Sequence, residues 1–196
     1  FRLCKELGII GFSTAYDATS VDFLESLQVP AYKIASFEAI DLPLIEKVAS
    51  LGKPVILSTG MATEEEVLEA HDVIQKAGNE QVIFLKCNTN YPCPEEYANV
   101  LGMVKLRDVL PVQVGYSDHT QGYAVSALAV SLGAIVIEKH FTLNKHLEGP
   151  DHKASLEPQE LKEFISVLRS VELNKITPEN VYEHIKKTLH FDFGVD

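Results

Sequence analysis

The chain has 196 residues, 46% of them hydrophobic and 23% charged, which is the composition of a water-soluble globular domain with a real core. A net charge of −11 removes the basic footprint that nucleic-acid binding requires, and no apolar run is long enough to span a bilayer. Three cysteines (Cys4, Cys87 and Cys93) form neither a CxxC pair nor a disulfide framework, so a reduced, cytoplasmic setting is expected.

Residues 1–7 read as the end of a helix closed by Gly8. Opening inside a helix at Phe1, the chain is expected to be a fragment whose missing elements lie on the N-terminal side. Ile9–Ser13 reads as a strand, delivering Thr14-Ala-Tyr16-Asp17 to its C-terminal end. Thr19 or Ser20 is the expected cap of a helix over Val21–Leu27. Ala31–Ala35 is a short strand ending in Ser36-Phe-Glu38. Pro43 starts the helix Leu42–Leu51, closed by Gly52. Pro54–Leu57 is a strand ending in Ser58-Thr-Gly-Met61. Thr63 and Glu66 have capping-box spacing, and the helix they open runs to about Ala77. A strand over Gln81–Lys86 ends in Cys87-Asn-Thr89-Asn-Tyr91-Pro. A helix over Asn99–Asp108 leads to the strand Pro111–Gly115, which meets Tyr116-Ser-Asp-His119-Thr. The small-residue helix Tyr123–Leu132 stops at Gly133, and the strand Ala134–Ile137 runs into Glu138-Lys-His140. A polar loop, Leu143–Ser155, precedes a last helix, Glu157–Val171.

Strand and helix alternate six times, and the strands are short continuous apolar runs, as in a sheet covered on both faces. Every polar cluster falls after a strand and before a helix, which marks the C-terminal face of a TIM-type (β/α)8 barrel. A doubly wound sheet is disfavoured because no G-x-G-x-x-G follows the first strand. Only about six of the eight βα units are present, so an open barrel is expected, with exposed apolar side chains along a gap between its first and last strands.

The rim then gathers Thr14, Lys33, Ser36, Glu38, Ser58, Thr89, Tyr91, Ser117, His119, His140 and Asp151. Two histidines just past consecutive parallel strands would ligate one metal or flank one substrate. Lys33 among hydroxyls has the makings of a phosphate or carboxylate site; the competing roles are a Schiff-base nucleophile and a solvated strand-end lysine. A polar pocket is expected to leave its pKa undepressed. Ser58-Thr59-Gly60 would bind a ligand or merely cap the next helix. Cys87 reads as a small buried hydrophobe, and His71, His146, His184 and His190 as solvated surface residues.

The segments YKIAS (32–36), PVILSTGM (54–61), Cys87-x-x-x-Tyr91-Pro92, GYSDHT (115–120), EKHFTL (138–143) and GPDHKASLEP (149–158) together resemble the sialic acid synthase family. The resemblance runs in order from about Gly8 to Glu172. It implies a partial (β/α) barrel catalytic domain over 1–172, an unassigned tail over 173–196, and absence of the family's antifreeze-like C-terminal domain. The implied enzyme is a transferase that condenses phosphoenolpyruvate with an N-acetylated hexosamine, typically N-acetylmannosamine, and releases phosphate. In that likeness His119 and His140 hold a divalent metal, usually manganese, with magnesium or cobalt as substitutes. Thr14, Lys33, Ser36, Ser58 and Ser117 match phosphoenolpyruvate-binding positions, and Thr89 stands where some members carry an Asn. Glu38, Tyr91 and Asp151 match sugar-binding positions; Glu38, His119 and His140 form the implied catalytic set. A homodimer of the full-length protein is also implied. Gly149-Pro-Asp-His152 leans toward N-acetylneuraminate, with pseudaminic and legionaminic acid synthases, a Lys33 aldolase and an inactive fragment as alternatives.

Overall fold

A computed structural model describes residues 1–173. The elements follow in order as α1 (Arg2–Glu6), β1 (Ser13–Thr14), α2 (Ala18–Ser26), β2 (Tyr32–Ile34), α3 (Leu42–Ala49), β3 (Val55–Ser58), α4 (Glu64–Lys76), β4 (Val82–Cys87), α5 (Leu101–Val109), β5 (Gln113–Asp118), α6 (Ala124–Ser131), β6 (Ile137–Lys139) and α7 (Pro158–Leu173). Each strand pairs in parallel with the next in sequence, giving one sheet in the order β1-β2-β3-β4-β5-β6. This is six consecutive βα units of a TIM-type barrel, laid out as the alternation of short apolar strands and capped helices requires.

Register sorts the side chains. Ile34, Leu57, Phe84 and Val114 share one row and face the helices. The first three are fully buried in a core with Val21 of α2, Ile45 and Val48 of α3 and Ala70 and Ile74 of α4. Burying each large apolar side chain contributes about 1.5–3 kcal/mol, so this layer holds the helices to the sheet. A second cluster joins Met103 of α5, Val114 and Tyr116 of β5, and Ala129 of α6. The opposite face carries Thr14 and Lys33, then Ser58, then the row Cys87, Ser117 and Glu138. Polar residues thus collect at the C-terminal ends of the strands, on the barrel's inner side.

Several boundaries move from expectation. Of the strand expected over Ile9–Ser13 only Ser13 enters the ladder, joined by Thr14 from just beyond the expected strand's end. Ile9 and Ile10 are 58% and 79% exposed, and Ile135 near β6 is 51% exposed. Among the described residues β1 and β6 are edges, and exposed apolar side chains lie at both, as an open barrel predicts. The last strand sits later than expected, at Ile137–Lys139, since the backbone N–H of Ala134 still serves α6 through Ala129 O. Asp17, not Thr19 or Ser20, caps α2. Its carboxylate accepts from Ser20 N at 2.7 Å and Thr19 Oγ1 at 2.8 Å, outcompeting a neutral hydroxyl as acceptor. The Thr63–Glu66 capping box and the Pro at the start of α3 stand as expected.

Candidate functional site

The strand ends enclose a cavity of about 530 Å³. Its wall includes Thr14, Tyr16, Lys33, Ser36, Ser58, Cys87, Tyr91, Ser117, His119, Glu138, His140 and Asp151. Of the expected site residues, all but Glu38 and Thr89 are on that wall.

Lys33 is 6% exposed and anchors the anionic side of the design. Its Nζ donates to Ser58 Oγ and to Ile34 O, each at 2.8 Å, with Glu138 Oε2 at 3.8 Å. Burial pushes the Lys33 pKa down, opposed in part by the Glu138 carboxylate, which corrects the expectation of an unperturbed ammonium. A ring of hydroxyls does not offset the loss of bulk water. Ser36 Oγ accepts from Gly60 N at 3.0 Å, leaving its O–H proton for a ligand. Gly60 is needed for this approach, since a Cβ there would lie 2.7 Å from Ser36 Oγ. Ser58 likewise spends its lone pair on Lys33 and keeps its proton. An ammonium and two hydroxyl donors converging from two strand ends are the donor set that a small anion needs.

The other half is imidazole. The His119 and His140 rings lie 5.1 Å apart between centroids, and the Tyr91 ring sits 4.0 Å from the first and 5.5 Å from the second. His119 Nδ1 is 2.5 Å from Asn88 O. A carbonyl only accepts, so Nδ1 carries the proton and Nε2 keeps its lone pair. Burial lowers the His119 pKa and favours this neutral ring. His140 Nδ1 is 3.9 Å from Asp151 Oδ2, so this ring has a carboxylate on its Nδ1 side where His119 has a carbonyl. Two imidazoles offered in this way suit a borderline divalent ion completed by oxygen donors. Among the described residues no group of three His, Cys, Asp or Glu side chains is arranged to hold a metal.

Two expected residues fall elsewhere. Glu38 lies in a short helical turn, Ser36–Glu38, whose cavity-facing members are Ser36 and Phe37. Its Oε2 is buried without a hydrogen-bond partner among the described residues, and burial raises its pKa. Thr89 turns its methyl toward Gly60 and is off the wall. Asn88 does not replace it, since its side chain is taken by Lys86 Nζ, Cys93 Sγ and Tyr97 O. Both departures arise in loops, where no strand alternation dictates side-chain direction.

Sequence reasoning missed Glu138, while Cys87 is buried as expected. Glu138 accepts from Ser117 Oγ at 2.6 Å, and its place two residues before His140 on one strand was the available signal. Cys87 Sγ lies 4.0 Å from His119 Nδ1, a contact made across neighbouring strands and hidden from sequence adjacency. His71 is half-buried and not a solvated surface residue, and its Nε2 has no partner among the described residues. His146 is exposed as expected, while His184 and His190 lie outside the described residues.

Fold and site together define a TIM-type (β/α)-barrel protein with a buried lysine and serine hydroxyls beside a histidine pair on its C-terminal rim. The NeuB family profile matches residues 1–178. The N,N'-diacetyllegionaminic acid synthase of Campylobacter jejuni is 48% identical over 170 residues, covering 86% of this chain and 51% of that protein. The pseudaminic acid synthase of Helicobacter pylori is 43% identical over 169 residues, covering 86% and 50%. The crystal structure of N-acetylneuraminic acid synthetase from Leptospira borgpetersenii, in complex with citrate, superposes with a TM-score of 0.83 at 30% identity, over 96% of this chain and 68% of that one. The chain belongs to the NeuB family. It spans about half the length of the curated relatives it matches.

Proposed function

We propose that this chain carries the substrate-binding rim of a sialic-type acid synthase, which joins phosphoenolpyruvate to an N-acetylated hexosamine. The observation that carries the reading is Lys33, buried against Ser58 and adjacent to Ser36, on the same wall as the His119–His140 pair. Phosphoenolpyruvate brings a phosphate and a carboxylate, and the Lys33 ammonium with the Ser36 and Ser58 hydroxyls supplies donors for one of them. Thr14 and Ser117 flank that donor set, and Tyr91 and Asp151 face it from the side where the sugar would lie. In the reaction the methylene carbon of phosphoenolpyruvate bonds to the sugar aldehyde, water adds at the enol carbon, and inorganic phosphate leaves. His119 and His140 would hold a divalent cation, with manganese preferred and magnesium or cobalt as substitutes; such an ion polarises the aldehyde oxygen. Glu38, whose pKa burial raises, lies off the cavity wall and would have to turn its carboxyl inward to hold a proton near that aldehyde.

The finer proposal is N-acetylmannosamine as the sugar, from Gly149–His152; the sugars of legionaminic and pseudaminic acid are the competitors. A cytoplasmic homodimer of the longer protein completes the proposal. The test is phosphate release by the full-length protein with phosphoenolpyruvate and each sugar in turn, compared with the 196-residue chain by itself. No release with any amino sugar would overturn it. One observation favours a second reading. The depressed Lys33 pKa is what an imine-forming aldolase needs. Borohydride with pyruvate would then trap an adduct on Lys33, whereas the synthase forms none.

A further inference from the structure

Strands β5 and β6 run into two matched residue pairs, Asp118-His119 and Lys139-His140, and the ladder sets Asp118 opposite Lys139. Side chains alternate along a strand. The histidines therefore face the cavity, while the Asp118 carboxylate turns the other way, beneath α6, and draws the Lys139 ammonium to it, although Lys139 also borders the cavity. There they form an ion pair, Lys139 Nζ to Asp118 Oδ2 at 3.0 Å, with side-chain exposures of 4% and 0%. Asp118 Oδ2 also accepts from Ser126 Oγ of α6 at 2.5 Å. Asp118 Oδ1 accepts from Thr120 N at 2.8 Å and Thr120 Oγ1 at 2.7 Å, and Lys139 Nζ donates to Thr120 O as well.

We infer that the Asp118–Lys139 pair is a positioning device that sets the separation and angle of the His119 and His140 rings. The first support is energetic. A buried ion pair gains little net stability over an apolar pair of the same shape, because desolvation of both charges opposes their attraction. What the charged pair adds is direction. The Asp118 carboxylate receives four donors and closes the turn across residue 119, so the backbone that launches the His119 ring has one conformation. The second support is placement. The ammonium that completes this network sits one residue before His140, so the two ring-bearing strand ends are tied directly to each other. Ser117 and Glu138 make a parallel tie one register earlier on the inner face. Asn88 O and Cys93 N hold His119 only to the segment after β4. Neither Asp118 nor Lys139 is a catalytic residue in this assignment, since the carboxylate lies outside the cavity and the ammonium is taken by Asp118 and Thr120 O.

The activity arm of the test rests on the synthase reading; the ring-geometry arm does not. In metal-free full-length protein with labelled histidine, the parent should show a nuclear Overhauser contact between the His119 and His140 rings, given their 5.1 Å spacing. Asp118→Leu/Lys139→Met replaces the pair by apolar side chains and should melt within a few degrees of the parent. The inter-ring contact should weaken at least threefold, and kcat should fall at least tenfold with the phosphoenolpyruvate KM within twofold. Lys139→Arg, which keeps the charge, should retain the contact and most of kcat. A well-folded double variant with the parental contact overturns the inference. If the double variant does not fold, Asp118→Asn decides on the same contact, and an unchanged contact there overturns the inference too. A lost contact in a protein that makes no acid sugar would sustain the inference and sink the synthase reading.

Discussion

Replacing Lys33 with Met separates anion binding from fold stability. The change removes two hydrogen bonds, to Ser58 Oγ and Ile34 O, each at 2.8 Å. It also removes an ammonium that is 6% exposed and whose charged form burial already disfavours. The two hydrogen bonds are worth about 1 kcal/mol each, and the relieved desolvation is of the same order with opposite sign, so the melting temperature should move by only a few degrees. Anion affinity has no such compensation. A charge-assisted hydrogen bond contributes about 1.5–3 kcal/mol, and its loss should weaken phosphoenolpyruvate binding by about 10- to 150-fold. Isothermal titration of phosphoenolpyruvate into the full-length variant reads the affinity, and a thermal melt reads the fold. Lys33→Arg keeps the charge but cannot place its planar fork where one ammonium fits, so it should lose less. Binding of the amino sugar should be unchanged in both variants. Parental phosphoenolpyruvate affinity in Lys33→Met would refute the anion assignment, as would a Lys33→Arg protein that binds normally and is inert.

Gly60→Ala drives a Cβ to 2.7 Å from Ser36 Oγ, so Ser36 must rotate; phosphoenolpyruvate affinity should drop about 2- to 12-fold by the same titration, the loss of one neutral hydrogen bond. His119→Ala and His140→Ala should each abolish metal-dependent turnover of the full-length enzyme while leaving its circular dichroism intact, and manganese restored after chelation should revive only the parent. His71→Leu removes a buried ring nitrogen that has no partner and should raise the melting temperature at pH 7, since such an orphan costs about 1–3 kcal/mol. Burial lowers the His71 and His119 pKa values from 6.5, so below that pH the unfolded chain takes up protons first. Stability is therefore complete above pH 6.5 and declines as pH falls toward the folded-state pKa values. Melts from pH 7 to 5 should fall less steeply for His71→Leu than for the parent.

The order of elements, the parallel sheet and the location of the rim were legible because short-range rules govern them. Continuous apolar runs of four or five residues fit only covered strands, and caps such as Thr63–Glu66 and Pro43 act within one turn of helix. Nine of the expected site residues stand on the cavity wall for the same reason. A residue that ends a parallel strand is delivered to the rim whatever its neighbours do. What the tertiary structure decided is everything that depends on a second strand or on loop direction. Glu138 meets Ser117, Cys87 meets His119, and Asp118 meets Lys139 only because register aligns them, and register is a property of pairs, while Glu138 reaches Lys33 across the barrel, from a strand that does not pair with β2. Glu38 and Thr89 leave the wall because they lie in irregular segments, where local packing sets the side chain's direction. The Lys33 pKa moved against expectation for a related reason. Residue types around a site report its polarity, but desolvation depends on how much water the assembled walls exclude, and that is settled only when the strands and helices close around it.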